Sequence, residues 1–124
     1  MNTRAAGARS EEAALVHLRN AGLALLARNY SCRYGELDLV MNDRGTVVFV
    51  EVRYRSGAGV RGGFGSGIDS VSASKRSRLV RAAQMFLADH PRLAQSACRF
   101  DVVALADGEA ASAIDWRRNA FETG

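Results

Sequence analysis

Cysteine is scarce in this chain of 124 residues: Cys32 and Cys98 stand alone, with no CxxC pair. That excludes a cysteine-built zinc knuckle and a disulfide-stapled scaffold. Lysine is scarcer still, since Lys75 is the only one and the other sixteen basic residues are arginine. Proline occurs once, at Pro91. No apolar run approaches the roughly 20 residues that a membrane span needs. The first residues, MNTRAAGARSEEAAL, carry charges inside any would-be apolar segment and do not form a signal peptide. The expectation is a soluble, reduced, cytoplasmic protein with no membrane partner. Repeats and domain boundaries are also lacking, so residues 1–124 read as a single domain. With 48% hydrophobic and 24% charged residues, a chain of this length can bury a real core.

The charge is unevenly placed. Seventeen basic residues against thirteen acidic ones give +4, with a sequence pI near 9.7. Between Arg53 and Arg81 stand seven basic residues (Arg53, Arg55, Arg61, Lys75, Arg76, Arg78, Arg81) and one acid, Asp69, a net +6 that leaves −2 for the rest. Such a local excess suits a polyanion such as nucleic acid. A solvated basic face in an arginine-rich protein is the competing reading.

Helical spacing runs from about Thr3 to Ala21, and Gly22 is a good stop. Leu15 and Leu18 define the buried stripe, with Ala8, Ala14 and Ala21 nearby. At 100° per residue Glu11 lies only about 40° from Leu15, and Glu12 about 60° away on the other side. An acid in Glu11's position is costly unless it has a partner or snorkels to water. Leu23–Leu26 predicts a first strand ending near Arg28-Asn29-Tyr30. From Glu36 to Met41 the chain alternates, with Glu36, Asp38 and Val40 on one face and Leu37, Leu39 and Met41 on the other. Asn42-Asp43-Arg44-Gly45 has turn chemistry. Thr46–Tyr54, apolar on both faces through Val47-Val48-Phe49-Val50, predicts a central strand, and the pair a β-hairpin.

Residues 56–67, SGAGVRGGFGSG, hold six of the twelve glycines and predict a flexible loop, either a mobile flap or a passive linker. A helix follows from Ser72 or Ser74 to Asp89, stopped by His90-Pro91. Its inner face is Leu79, Val80, Ala83, Phe86 and Leu87. Arg99–Ala106 predicts another strand, Asp107-Gly108-Glu109 a turn, and Ala110–Ile114 an edge strand before a polar tail with Trp116 and Phe121. The order αβββαβ(β) is a mixed α/β domain with one layer of sheet.

The hairpin also predicts a site. With the turn centred on Asp43-Arg44, Asp38 faces Phe49, Glu36 faces Glu51, and Asp38 is diagonal to Glu51. Arg53 projects from the same face, so three carboxylates and an arginine meet at one end of the strand pair. Like charges so close call for a cation. Oxygen ligands of this kind suit Mg²⁺ or Mn²⁺, and such an ion held by an Asp and a Glu can act on a phosphodiester. Arg53, always protonated, would contact phosphate and cannot serve as a base. The competing reading is an ordinary surface hairpin with paired charges.

Three segments together, Gly35-Glu36-Leu37-Asp38-Leu39-Val40, Val48-Phe49-Val50-Glu51-Val52-Arg53-Tyr54-Arg55 and Arg99-Phe100-Asp101-Val102-Val103, resemble the YraN family. These are bacterial proteins placed by resemblance in the restriction-endonuclease-like PD-(D/E)xK superfamily, near the archaeal Holliday junction resolvases. Gly7, Glu11, Ala14, Leu18 and Gly22 match that family's first-helix pattern, and Lys75 stands where it carries a lysine. The resemblance spans about residues 7–121. It implies a restriction-endonuclease-like fold with an αβββαβ core and a mixed β-sheet flanked by helices. It also implies that Asp38 and Glu51 are the two metal-binding acids, with Glu11 the first-helix glutamate that approaches the metal. Arg53 occupies the lysine position of ExK, a departure that leaves turnover open. Lys75 is then either a migrated catalytic lysine or a phosphate contact.

The resulting expectation is a Mg²⁺- or Mn²⁺-dependent endonuclease acting on DNA, structured or branched DNA such as junctions foremost. In it Arg53 and Lys75 hold or polarise the scissile phosphate, while Arg55, Arg61, Arg76, Arg78 and Arg81 hold the backbone. A homodimer matches the two-fold substrates of resolvase-like enzymes. The alternatives are a non-catalytic nucleic-acid-binding module of the same fold and an interaction domain within a larger DNA-processing assembly. His17, mid-helix without a partner, and His90, just before a helix-ending proline, are poor metal ligands, and nothing near Cys32 or Cys98 argues for a nucleophile. Asp101 reads as an anchor for Arg99 or a helix, Tyr54 as packing or base stacking. The glycine loop lacks the GK[ST] of a phosphate cradle.

Overall fold

The computed structural model describes residues 3–55, 71–106 and 114–121. Helix α1 spans Thr3–Asn20 and ends where the glycine demands. Gly22 takes φ +103°, its N–H reaches the Arg19 carbonyl at 2.9 Å, and the Leu23 N–H reaches Leu18 at 3.0 Å. These are the paired bonds of a Schellman stop, and Leu23 is buried beyond it. Then follow β1 (Ala24–Cys32), β2 (Gly35–Asp43), β3 (Thr46–Arg55), α2 (Ala73–Asp89), a 3₁₀ turn (Pro91–Leu93), β4 (Cys98–Ala106) and β5 (Ile114–Phe121). The Ser72 side chain caps α2 by accepting the Lys75 N–H at 3.1 Å. Ser72→Ala should cost about 1 kcal/mol, seen as a lower urea midpoint with an unchanged slope.

The five strands among the described residues form one sheet in the order β1-β2-β3-β4-β5. Only β3 and β4 are parallel among the neighbouring pairs, and α2 lies in the connection that a parallel pair requires. Alternation along β3 gives each helix its own face. Val47 and Phe49 join Phe100, Val102 and Phe121 under Leu79, Ala82, Ala83 and Phe86 of α2. Val48 and Val50 join Val103 and Leu105 under Ala14, Leu15 and Leu18 of α1. Phe86, Phe49, Phe100 and Phe121 touch in series, with ring centroids 6.0, 5.3 and 4.8 Å apart. The sheet is thus a middle layer between two helices, as the element order predicts. No helix among the described residues is long and apolar enough to cross a membrane.

Three expectations need correction. Strand β1 does not end near Tyr30 but runs to Cys32, because Asn29 takes a left-handed φ of +55° and the strand continues past it. The segment read as a polar tail after Ile114 is instead strand, Ile114–Phe121, while residues 110–113 of the expected edge strand lie outside the described residues. Its polar stretch hides two long-range anchors: Phe121 stacks on Phe100, and the Trp116 indole N–H donates to Asp101 at 3.0 Å. The hairpin turn is the third correction, and it determines the site. The glycine loop at 56–67 and the turn at 107–109 lie outside the described residues.

Candidate active site

Asp43 pairs with Thr46, so the turn's central residues are Arg44 (φ +54°) and Gly45 (φ +97°), both left-handed as in a type I′ turn. The Asn42 side-chain oxygen Oδ1 accepts the Gly45 N–H at 2.7 Å. The turn therefore sits one residue later than the sequence predicts. Phe49 faces Val40, not Asp38, and continuing the Leu39–Val50 register sets Asp38, not Glu36, directly against Glu51. Pairing moves by an even step, so no side chain changes face on this account.

A second irregularity does change faces. Leu37 packs with Val40 in the α2 cluster, while Leu39 and Met41 pack in the α1 cluster. The simple alternation from Glu36 to Met41 thus fails at Asp38. Across the β1 register Asp38 lies opposite Asn29, the left-handed residue, and asparagine tolerates that conformation better than most side chains. β2 parts from β3 here too: their ladder ends at Leu39–Val50, and the Val52 N–H donates instead to Asp38 Oδ2 at 2.8 Å.

That break puts the Asp38 carboxyl in a demanding place. Burial, then the Glu51 charge, push its pKa up to about 7 against the lowering effect of the Val52 N–H; Glu11 and Glu36 add further repulsion. The Glu51 side chain is only 10% exposed. Its Oε2 receives Lys75 Nζ at 3.3 Å and Arg53 Nε at 3.5 Å. Arg53 Nε is buried and makes no hydrogen bond among the described residues. Glu11 reaches the group from α1: it is half-buried, and its pKa is raised chiefly by burial despite a hydrogen bond with Asn29.

Asp38, Glu51, Arg53 and Lys75 are therefore brought together, with Glu11 at their margin. The expected trio of carboxylates is corrected to a pair, because Glu36 is exposed and paired on the β1 side. Among the described residues no three His, Cys, Asp or Glu side chains gather closely enough to hold a metal ion. The basic residues divide. Arg78 shares a narrow cleft with Lys75, Tyr34 and Glu36, and Arg81 stands over the Tyr34 ring at 5.7 Å. Arg76 turns elsewhere, its Nε donating to the Val71 carbonyl at 2.9 Å and its guanidinium over Phe121. Arg61 and the Arg55 side chain lie outside the described residues. Asp101 is an anchor, as expected: it accepts Arg99 Nε at 3.0 Å, and Arg99 also pairs with Asp43 at 2.9 Å. Sequence reasoning missed Asn29; its signal is an asparagine interrupting a strand beside the acids.

Fold and site define a small α/β protein: a mixed sheet between two helices, with two repelling carboxylates braced by a lysine and an arginine where strands part. Residues 10–105 match the model of the family described as Uncharacterised protein family UPF0102. The chain belongs to this family, the YraN-like proteins. It is 53% identical over 118 residues to a UPF0102 protein of Pseudomonas entomophila strain L48, covering 94% of this chain and 93% of the relative. It is 50% identical over 121 residues to one of Stutzerimonas stutzeri strain A1501, covering 98% of each.

Proposed function

We propose that this protein is a metal-dependent endonuclease that cleaves phosphodiester bonds in DNA, with branched or otherwise structured DNA as its substrate class, on a restriction-endonuclease-like fold. The observation that carries the reading is the placement of the Asp38 carboxyl beside the buried Glu51 carboxylate, where burial first and then the Glu51 charge push its pKa up to about 7. A divalent cation relieves such repulsion, and two hard carboxylates fit Mg²⁺ or Mn²⁺ in charge and donor type. Asp38 and Glu51 would hold the ion, which would supply Lewis-acid polarisation of the phosphodiester. Arg53, with its buried unbonded Nε, and Lys75 would turn from Glu51 to the phosphate oxygens. Glu11 adds negative charge beside the pair. Two copies would serve a two-fold substrate, in the cytoplasm.

A second reading, a non-catalytic nucleic-acid-binding module, is favoured by one arrangement: Lys75 and Arg53 already balance Glu51. Mn²⁺ binding followed by EPR on wild type and Asp38→Asn, then cleavage of branched DNA by wild type and Glu51→Gln, separates the two. The endonuclease reading expects site-specific Mn²⁺ lost in Asp38→Asn, and cleavage reduced about 100-fold or more in Glu51→Gln with folding intact. Salt-sensitive DNA binding without cleavage, indifferent to Mg²⁺ and to both substitutions, would establish the binding module instead.

A further inference from the structure

Arginine, tyrosine and glutamine meet a short way along α2 from the carboxylate pair. Tyr34, at the β1–β2 turn, lines an open pocket of about 440 Å³ with Arg81, Gln84 and Met85. The guanidiniums of Arg33 and Arg81 stand 5.1 and 5.7 Å from the Tyr34 ring centroid, and Arg33 also donates to the Tyr34 hydroxyl at 3.0 Å. Tyr34 is shared with the narrow cleft that holds Lys75 and Arg78, and Lys75 in turn touches Glu51. A cationic track therefore leads from Glu51 through Lys75 and Arg78 to this pocket. Along the helix axis Lys75 and Arg81 are only about 9 Å apart.

We propose that this pocket binds an unpaired DNA base next to the phosphate held at the Asp38–Glu51 site, an inference that rests on the endonuclease reading and deepens it. The pocket has room for a planar base. The exposed Arg81 guanidinium and the Tyr34 ring offer surfaces for stacking. Met85 gives an apolar wall, and the Gln84 amide can both donate to and accept from a base edge. Arg33, exposed at the rim, suits the adjoining phosphate. A base that is paired and stacked within a duplex cannot enter. The substrates recognised are then those offering an unpaired nucleotide: forks, flaps and opened junction centres.

The test is fluorescence anisotropy in EDTA, where cleavage cannot interfere, with labelled dT10, U10 and a blunt DNA duplex. Tyr34→Ala should weaken dT10 binding about 5- to 100-fold, with duplex affinity changed less than twofold. Tyr34→Phe, which keeps the ring, should retain affinity. Because Tyr34 also packs against the core, Gln84→Ala at an exposed position provides a second variant and should weaken dT10 selectively. Unchanged dT10 affinity in Gln84→Ala and in a folded Tyr34→Ala overturns the proposal, as does an equal loss for dT10 and duplex. U10 bound more tightly than dT10 overturns the assignment to DNA. Mn²⁺ binding measured on the same proteins keeps the two readings apart: its absence from wild type removes the endonuclease, whereas a failed dT10 result with Mn²⁺ binding intact removes only the base pocket.

Discussion

Replacing Asp101 with alanine is expected to cost about 3–5 kcal/mol, enough to leave this domain marginally folded. The carboxylate is fully buried. It accepts Arg99 Nε at 3.0 Å and Nη2 at 3.2 Å, the Trp116 indole at 3.0 Å and the Asn119 backbone N–H at 2.9 Å. Removing it leaves those donors unsatisfied at once, and buried donors without acceptors carry their full desolvation penalty. Asp101→Asn keeps one acceptor oxygen, and Arg99 keeps Asp43, so the loss should be smaller. Urea denaturation followed by tryptophan emission reads the effect directly, because Trp116 is the only tryptophan. A midpoint for Asp101→Ala close to that of wild type would contradict this account.

Asp38→Asn should do the opposite at alkaline pH. In metal-free buffer Asp38 stays protonated up to about pH 7 in the folded chain, against a reference value of 3.8. The folded state therefore binds more protons than the unfolded state between those values. Stability from this group is full below about pH 4 and is lost as pH rises through 7. The loss is on the order of 4 kcal/mol. Asparagine carries no charge yet retains an acceptor for the Val52 N–H. The variant should melt higher than wild type at pH 8 and show a flatter stability profile between pH 4 and 7. Thermal melts in EDTA across that range check it, and superimposable profiles would count against it.

Local signals explain what was legible beforehand. Gly22 and Ser72 mark helix ends through chemistry confined to a few neighbouring residues, and both do so in the structure. The meeting of Asp38 with Glu51 survived a misplaced turn, because an even register step preserves the face each residue occupies. Asn29 was less legible: Arg28-Asn29-Tyr30 looks like a strand end, whereas one left-handed residue lets the strand continue. Strand β5 escaped because its anchors, Phe100 and Asp101, are supplied by another strand. The pocket at Tyr34 was invisible for the same reason, being built from a turn and a helix far apart in the chain.

The parallel pairing of Val47–Arg55 with Cys98–Ala106 joins the middle of the chain to its last third. Synthesis runs from the N-terminus, so a growing chain presents both acids on β2 and β3 well before Lys75 and the partner strand exist. At that stage Phe49 lacks Phe86 and Phe100, and Glu51 lacks the ammonium that faces it in the finished fold. The emerging hairpin carries its two facing acids without the helix that later supplies Lys75. The order of translation therefore leaves Glu51 without its ammonium partner until the centre of the sheet can be sealed.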